Sequence, residues 1–181
     1  NLQVVSSMLR LQSDKITSDE VKAIFDDAQH RIQAMALVHQ RMYQTENLAK
    51  IDLETYIKEL ATDLTSLHST TQEVSLDIST NFSELNVKNI VPLGLIINEL
   101  ISNSLKHGIK TNGNILLSFN KQANDLMFTY RDNGVGFDEA TLNKGFGMEL
   151  IEVFALQMDS TYHVKNEANK GLSYEFNIPL N

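Results

Sequence analysis

The first 44 residues contain neither glycine nor proline, so nothing in this stretch interrupts a helix. Apolar side chains recur there every three or four residues, which places them on one face of a helix. Thr17 and Glu20 fit a capping box at the start of the longer helix. The pattern predicts two long helices joined by a short connection, an antiparallel hairpin. The apolar stripe of the second helix consists of Val21, Ile24, Phe25, Ala28, Ile32, Met35, Ala36, His39 and Met42, and that of the first of Leu2, Val5, Met8, Leu9 and Gln12.

Both predicted helices have an apolar stripe, and such a stripe must pack against another surface. The simplest partner is a second copy of the same hairpin, which would make the chain a homodimer. The alternative is that the hairpin folds back onto its own domain. The composition changes at residues 45–50. We therefore expect a helical dimerisation domain at residues 1–46 and a second domain at residues 47–181.

Composition excludes several classes of protein. The chain has 15 Lys and Arg against 23 Asp and Glu, a formal net charge of −8, and no cysteine. The acidic balance argues against an electrostatic platform for nucleic acid, and the missing cysteines exclude disulfides and thiolate metal sites. No apolar run reaches the roughly 18 residues of a spanning helix, and no signal-peptide pattern is present. We expect no membrane contact within this chain and a cytoplasmic location, although a longer protein that contains it could be membrane-attached.

The remainder of the chain alternates between helical and strand periodicity. Asp52 can cap a helix that ends near residue 67, and from residue 73 apolar and polar residues alternate as in a half-buried strand. Pro92 fits the first turn of a further helix, which Gly108 would end. We predict further strands at residues 115–120, 126–131, 162–165 and 173–178, and a helix at residues 148–158. This order predicts an α+β fold in which helices pack on one face of a mixed sheet.

The segment NELISNSLKH (residues 98–107) combines amide, carboxylate and basic side chains on one face of a predicted helix. Asn98, Glu99, Asn103 and Lys106 fall on neighbouring turns of that face. Carboxamide oxygens beside a carboxylate are hard ligands, suited to a Mg²⁺ ion that also holds phosphate oxygens. Lys106 and His107 supply hydrogen-bond donors for phosphate. Taken alone, the pattern also fits an ordinary solvated helix face.

The segment DNGVGF (residues 132–137) directly follows a predicted strand. Gly134 and Gly136 allow backbone torsions that other residues avoid, and they let a flat ligand approach closely. Asp132 at the strand end can accept a hydrogen bond from an amino group such as that of adenine. The alternative is a plain hairpin turn, for which Asp-Asn-Gly is typical.

The segment KGFGMELI (residues 144–151) places a glycine pair directly before a predicted helix. Free backbone N–H groups at the start of a helix form a site for anions. The segment is neither a Walker motif, which needs Gly-Lys-Ser/Thr, nor a Rossmann fingerprint.

In this order and spacing, the three segments resemble the ATP-binding domain of the GHKL superfamily, which gyrase-type ATPases, heat-shock ninety chaperones, histidine kinases and mismatch-repair ATPases share. The segments NLQVVSSML (residues 1–9) and AMALVH (residues 34–39) resemble the dimerisation hairpin of sensor histidine kinases of the second HisKA type, relatives of the HWE kinases. The lead-in IVPLGL (residues 90–95) is similar to the same group. The resemblance covers nearly the whole chain. It implies a Bergerat-type α/β sandwich after the hairpin, with ATP and Mg²⁺ as cofactors.

The resemblance assigns roles to residues of all three segments. It makes Asp132 the partner of the adenine amino group, Asn103 the ligand of Mg²⁺, and Glu99 a catalytic base or orienting group. The segment GLSY (residues 171–174) stands where the family usually has Gly-Thr-x-Phe, and the missing threonine argues against a phosphate contact from this strand. The ATP site that the resemblance implies consists of Asn98, Asn103, Lys106 and His107 near the metal and phosphates, Asp132, Gly134, Gly136 and Phe137 around the base, and Gly145, Phe146, Gly147 and Met148 in a mobile lid.

The phosphate-accepting histidine of the family lies in a His-Arg-x-Lys-Asn-Asn-Leu-Gln box, and residues 1–3 match only the tail of this box. We therefore expect the acceptor to lie upstream of this chain. His30 and Arg31 match the start of the box, but the residues that follow differ, so we expect His30 to be an exposed or interfacial residue. His39 lies on the apolar stripe, where a packed core histidine is expected.

The resemblance implies an ATP-dependent protein-histidine kinase, which transfers the γ-phosphoryl group of ATP to a histidine and then to an aspartate of a response-regulator receiver domain. Phosphoryl transfer needs mainly positioning and charge neutralisation, which magnesium, Lys106 and lid amides would provide. A pseudokinase that only binds ATP remains an alternative. The helical hairpin argues against two others, an ATP-gated conformational module and a serine kinase of the anti-sigma type.

Overall fold

The computed structural model describes residues 2–13, 16–44, 51–68, 73–136, 146–167 and 171–180. The described part of the chain opens with two helices and continues with interspersed strands and helices, with one π-helical turn at Ser104–Gly108. The helices are α1 (Leu2–Ser13), α2 (Asp19–Gln44), α3 (Leu53–His68), α4 (Val87–Asn103) and α5 (Phe146–Gln157), and the strands are β1 (Ile51–Asp52), β2 (Glu73–Thr80), β3 (Glu84–Leu85), β4 (Asn112–Gln122), β5 (Asp125–Asp132), β6 (Thr161–Glu167) and β7 (Gly171–Pro179).

Five strands form a mixed sheet in the order β2-β4-β5-β7-β6. β2 runs parallel to β4, and the other neighbours are antiparallel. Buried and half-buried residues alternate along β4, β5 and β7, so one face of the sheet is covered and the other is partly open. On the covered face, the rings of Phe119, Phe128 and Phe176 stack in a row across three strands. The structure confirms the predicted α+β fold and adds the short β1–β3 pair, which periodicity did not predict.

α1 and α2 pack against each other as the predicted hairpin. The cap of α2 differs from the prediction by one residue. The Ser18 hydroxyl accepts the hydrogen bond of Val21 N at 3.5 Å, and α2 begins at Asp19. Thr17 is therefore not the cap, because Ser18 directly precedes the first helical residue.

The second half of α2 packs on its own chain. Ala34 and Val38 are fully buried, and the side chain of Val38 contacts α4 at Gly94. His39 lies beside this contact face and is exposed, so its predicted place in the core is wrong. A different part of the hairpin surface remains apolar and open to solvent, consisting of Val4, Val5, Met8, Leu11, Val21 and Ile24. None of the described helices is long and apolar enough to cross a bilayer.

α4 begins five residues earlier than the sequence predicted. The Asn86 side chain caps it by accepting the hydrogen bond of Lys88 N at 3.1 Å. Pro92 therefore lies inside the helix and not in its first turn, and one helical hydrogen bond is missing there. Burial of Ile90 and Leu93 on either side of the proline holds this part of the helix in place.

Asp52 caps α3 as predicted, because its Oδ1 accepts a hydrogen bond from Thr55 N at 3.1 Å. The polar face of α4 and the end of β5 lie at one edge of the covered face, where the candidate site is found.

Candidate functional site

Asp132 is the last residue of β5, and its carboxylate is buried, with the residue only 3% exposed. Oδ1 accepts hydrogen bonds from Gly134 N at 2.8 Å and Leu172 N at 3.2 Å. Oδ2 accepts a hydrogen bond from the Ser104 hydroxyl at 2.5 Å. Each carboxylate oxygen can accept about two hydrogen bonds. Among the described residues, the donors to Asp132 therefore leave one acceptor position on Oδ2.

The Ser104 hydroxyl belongs to a longer chain of buried polar groups. It lies 2.8 Å from the Tyr130 hydroxyl, which also reaches the carbonyl oxygen of Leu100 at 3.1 Å. Burial raises the pKa of Tyr130 well above its usual value, and the charge of Asp132 adds to this effect. The phenol therefore stays protonated and acts as a donor, while Ser104 donates to Asp132.

The loop after Asp132 is held against the π-helical turn that ends α4. Val135 N donates to the carbonyl oxygen of Gly108 at 3.1 Å. A Cβ atom on Gly134 would lie 2.7–2.9 Å from the backbone of Gly108, so only glycine allows this approach. Gly171 has a φ of +88°, and a Cβ there would collide with the carbonyl oxygen of Asp132. Glycines thus bring three separate segments around one carboxylate.

The second part of the site lies where α5 begins. A Cβ on Gly147 would lie 2.8 Å from Glu99 Oε2 and 3.6 Å from Asn103 Nδ2. Glu99 and Asn103 are one turn apart on α4, so the first turn of α5 faces both side chains. Asn98 Nδ2 donates to Glu99 Oε1 at 3.2 Å, whereas the buried Asn98 Oδ1 has no hydrogen-bond partner among the described residues.

Two ion pairs connect the site to α2. Arg31 Nε donates to Glu99 Oε1 at 3.1 Å and Oε2 at 3.3 Å, and the Arg31 guanidinium lies 5.1 Å from the centre of the Phe146 ring. Lys106 Nζ donates to Asp27 Oδ1 at 2.8 Å. The structure thus ties both the predicted catalytic carboxylate and the predicted phosphate ligand to the hairpin.

Charge and burial shift the pKa values of Asp27 and His30, which lie at this contact. Burial raises the pKa of Asp27, but the hydrogen bond and charge of Lys106, with help from Arg31, outweigh it, and the pKa falls below its usual value. Burial also lowers the pKa of His30, and the nearby charge of Lys106 lowers it further. His30, predicted to be exposed or interfacial, is half-buried on α2.

The structure brings several of the predicted site residues together and leaves others at the margin. Asn103, Glu99 and Gly147 form one cluster, and Asp132 with Gly134 forms the other. The remaining described members lie on the π-helical turn, in the loop after β5 or on α5: Lys106 and His107 are exposed, Gly136 has a φ of +68°, Phe146 is exposed and Met148 is half-buried. Phe137 and Gly145 lie outside the described residues.

Four contributors were not predicted as site residues, namely Asp27, Arg31, Ser104 and Tyr130. Asp27 and Arg31 are one turn apart on α2 and carry opposite charges. This spacing could have predicted a charged contact face on the helix, but not which residues it contacts. Ser104 lies inside a recognised segment, but its neighbour Asp132 is 28 residues away. Periodicity alone does not reveal a contact of that kind.

The side chains near α5 are of a type that could bind a magnesium ion together with the phosphate oxygens of a nucleotide. Among the described residues, no group of three or more His, Cys, Asp or Glu side chains could hold a metal. Mg²⁺ usually keeps several waters and binds one or two protein oxygens together with substrate phosphates. The Asn103 carboxamide beside the buried Glu99 carboxylate is a donor set of this size and type.

Comparisons with known proteins find histidine kinases among the similar sequences. The chain is 20% identical over 192 aligned positions to the sensor histidine kinase PdtaS of Mycobacterium tuberculosis, covering 99% of this chain and 37% of PdtaS. It is 28% identical over 153 positions to the sensor protein VraS of Staphylococcus aureus, covering 78% of this chain and 44% of VraS. The chain therefore spans less than half the length of these curated relatives.

Solved structures share the fold. The histidine kinase domain of the blue-light activated histidine kinase EL346 from Erythrobacter litoralis matches with a TM-score of 0.72 at 22% identity, covering 99% of this chain and 86% of that one. The Acinetobacter baumannii histidine kinase AdeS matches with a TM-score of 0.60 at 15% identity, covering 100% of this chain and 96% of that one.

Two family models match different parts of the sequence. The histidine kinase model of the second HisKA type matches residues 1–68. The model of histidine kinase-, DNA gyrase B- and HSP90-like ATPases matches residues 88–181, which is more than half of the chain. This chain therefore belongs to the family of histidine kinase-, DNA gyrase B- and HSP90-like ATPases, and its first 68 residues are similar to the histidine kinase model of the second HisKA type.

Proposed function

We propose that this chain binds Mg-ATP and acts as the kinase core of a two-component system, transferring the γ-phosphoryl group to a histidine and from there to a response-regulator aspartate. The observation that carries the proposal is the Asp132 carboxylate. It is buried, three donors from the described part of the chain hold it, and these donors leave one acceptor position of Oδ2 for a ligand amino group.

Recognition of adenine follows from the direction of these hydrogen bonds. Because Gly134 N, Leu172 N and the Ser104 hydroxyl all donate, Asp132 can only accept. The 6-amino group of adenine is a donor, whereas guanine has a carbonyl oxygen at the same position. A buried acceptor facing an acceptor costs about 1–3 kcal/mol, so the site favours ATP over GTP.

The phosphates would lie along α4, between Asn103 and Lys106. Asn103 would supply a protein oxygen to Mg²⁺, and the ion when bound would neutralise charge on the phosphate oxygens. Lys106 and His107 are exposed on the π-helical turn, from which both would reach toward phosphate oxygens, and Lys106 would exchange its contact with Asp27 for one with phosphate. The first turn of α5 at Gly147 would close over the same region as part of a lid.

Glu99 is the candidate base or orienting group for the attacking histidine. Its carboxylate is buried beside Asn103 and faces Gly147. A neutral imidazole is already nucleophilic near pH 7, so a carboxylate needs only to orient it or to remove one proton. We propose that the acceptor is none of the five histidines of this chain.

We also propose that the chain works as a homodimer through its hairpin. The exposed apolar residues on the outer surface of α1 and the start of α2 support this, because a patch of Val4, Val5, Met8, Leu11 and Ile24 is expensive to leave in water. The dimer would use this patch, while the opposite face of α2 stays on its own domain.

The experiment is a calorimetric titration with ATP in the presence and absence of Mg²⁺, followed by incubation with γ-labelled ATP. We expect ATP binding that Mg²⁺ strengthens, and no acid-labile label on this chain. Transfer of label to a histidine-containing substrate supplied as the upstream box, fused to residue 1, would support the kinase. Magnesium-dependent ATP binding without any transfer to that fusion would favour the pseudokinase, and absence of ATP binding would refute the proposal.

A further inference from the structure

α2 presents a pair of opposite charges, one helical turn apart, to the candidate site. Asp27 contacts Lys106 at 2.8 Å, and Arg31 contacts Glu99 at 3.1 Å. Arg31 meets Glu99 on α4, and Asp27 meets Lys106 on the π-helical turn that follows α4, so α2 lies alongside both with opposite charges in contact. Arg31 and Glu99 are 68 positions apart in the sequence, and Asp27 and Lys106 are 79 positions apart.

The two ion pairs differ in strength because they differ in exposure. The side chains of Lys106 and Asp27 are 30% and 47% exposed, whereas those of Arg31 and Glu99 are 21% and 4% exposed. Exposed pairs are weak and screened by salt, while a pair with a buried carboxylate resists separation. We therefore expect the Arg31–Glu99 pair to persist and the Asp27–Lys106 pair to separate more easily.

We propose that Asp27 is an autoinhibitory ligand of Lys106, which occupies the lysine in the nucleotide-free protein and which the ATP phosphates must displace. The proposal rests on the proposed function, in which Lys106 binds phosphate. A phosphate oxygen on the same ammonium group would lie close to the Asp27 carboxylate, and the two anions repel each other. ATP binding and the Asp27–Lys106 pair are thus in competition, while the Arg31–Glu99 pair keeps α2 in place.

This arrangement makes the start of α2 responsive to the nucleotide. When phosphate takes Lys106, the face of α2 that carries Asp27 and His30 loses its anchor on the π-helical turn. His30 is half-buried and the charge of the same lysine contributes to lowering its pKa, so its surroundings change together with those of Asp27. The hairpin and the ATP site are coupled through one lysine.

The test compares ligand affinity between wild type and Asp27→Asn. An exposed ion pair contributes about 0.2–1 kcal/mol, so removal of the competing carboxylate should tighten Mg-ATP binding by about 1.5- to fivefold at low ionic strength. Adenosine has no phosphates and does not need Lys106, so its affinity should not change. Asp27→Glu retains the carboxylate and should return the affinity of Mg-ATP toward that of wild type.

Asp26→Asn is the matched control, because it removes the same charge from the neighbouring position. Asp26 accepts a hydrogen bond from Ser13 on α1 and makes no ion pair with Lys106. Tighter Mg-ATP binding in Asp27→Asn alone, with adenosine unchanged, supports the proposal. The proposal about Asp27 is overturned if Asp27→Asn and wild type bind Mg-ATP equally tightly, or if Asp26→Asn binds Mg-ATP more tightly by the same factor. Neither result would contradict ATP binding by this chain. If neither wild type nor any variant shows detectable binding of adenosine or Mg-ATP, the proposed function is refuted, and so is the proposed competition between Asp27 and phosphate for Lys106.

Discussion

Replacing Asp132 by asparagine should change which base the site prefers without unfolding the protein. The new amide can keep its oxygen toward Gly134 N and Leu172 N, which donate to Oδ1 in the wild type. Its nitrogen then faces Ser104, whose hydroxyl can turn to accept. Ser104 would donate to the Tyr130 hydroxyl, and Tyr130 to the Leu100 carbonyl oxygen, which is 3.1 Å away. Every buried group retains a partner, so we expect a loss of stability of no more than about 1 kcal/mol.

The ligand-facing position changes from an acceptor to a donor. An amide N–H of Asp132→Asn would then face the amino group of adenine, which is also a donor. A buried polar group without a partner costs about 1–3 kcal/mol, which corresponds to a loss of ATP affinity of about five- to 150-fold. Inosine triphosphate has a carbonyl oxygen at the same position, which suits the amide and not the carboxylate. The ratio of ATP affinity to inosine triphosphate affinity should therefore fall by at least about 25-fold, the product of the two lower limits.

Calorimetric titration of both nucleotides into wild type and Asp132→Asn measures this ratio, and thermal unfolding checks that the variant is folded. Ser104→Ala is a useful companion, because it removes the donor to Oδ2 and leaves the carboxylate in place. We expect it to weaken ATP binding without favouring inosine triphosphate. The reasoning is refuted if folded Asp132→Asn binds ATP as wild type does, or if its affinities for both nucleotides fall by the same factor.

Four further outcomes are expected. Asn103→Ala should lose the magnesium-dependent part of ATP binding, and an equal enhancement by Mg²⁺ in wild type and variant would place the ion elsewhere. Gly171→Ala should lower the free energy of unfolding by about 2–6 kcal/mol in urea, from backbone strain and a clash with β5, whereas Gly108→Ala, where a Cβ makes only ordinary contacts, should stay within about 1 kcal/mol of wild type. The pKa of Asp27 is lowered in the folded state, so the Asp27 carboxylate should stabilise the fold above about pH 4 and lose this effect as the pH falls through the lowered pKa. The free energy of unfolding should therefore differ between wild type and Asp27→Asn by about 0.2–1 kcal/mol at pH 7, and this difference should vanish on acidification. Incubation of this chain with γ-labelled ATP should leave no acid-labile label on any of its five histidines.

Local pattern was sufficient to predict most of the architecture. The hairpin, α3 with its Asp52 cap, the mixed sheet and α5 all follow from periodicity and from capping or turn residues, which act within one element. One error concerns where α4 begins. Pro92 was predicted at a helix start, but the cap at Asn86 and burial of Ile90 begin α4 earlier. A proline restricts the backbone, but burial on both sides can outweigh the hydrogen bond that it removes.

The three motifs could be found without a structure because each is a short run of residues with its own chemistry. Their order along the chain was enough to indicate an ATP-binding domain of the family to which the chain belongs. The side chains that complete each motif were not visible in the same way. Ser104 and Asp132 are 28 residues apart, and Gly171 reaches Asp132 from a third segment.

The sequence by itself determined which elements form and which motifs hold the candidate site residues, since periodicity, capping and motif spacing depend on neighbours along the chain. Only the tertiary structure decided that α2 lies along α4, so that Asp27 meets Lys106 and Arg31 meets Glu99. It also decided that His39 is exposed while Ala34 and Val38 are buried. The register and rotation of one helix on another depend on the side chains of both surfaces together, and a periodic pattern describes only one of them.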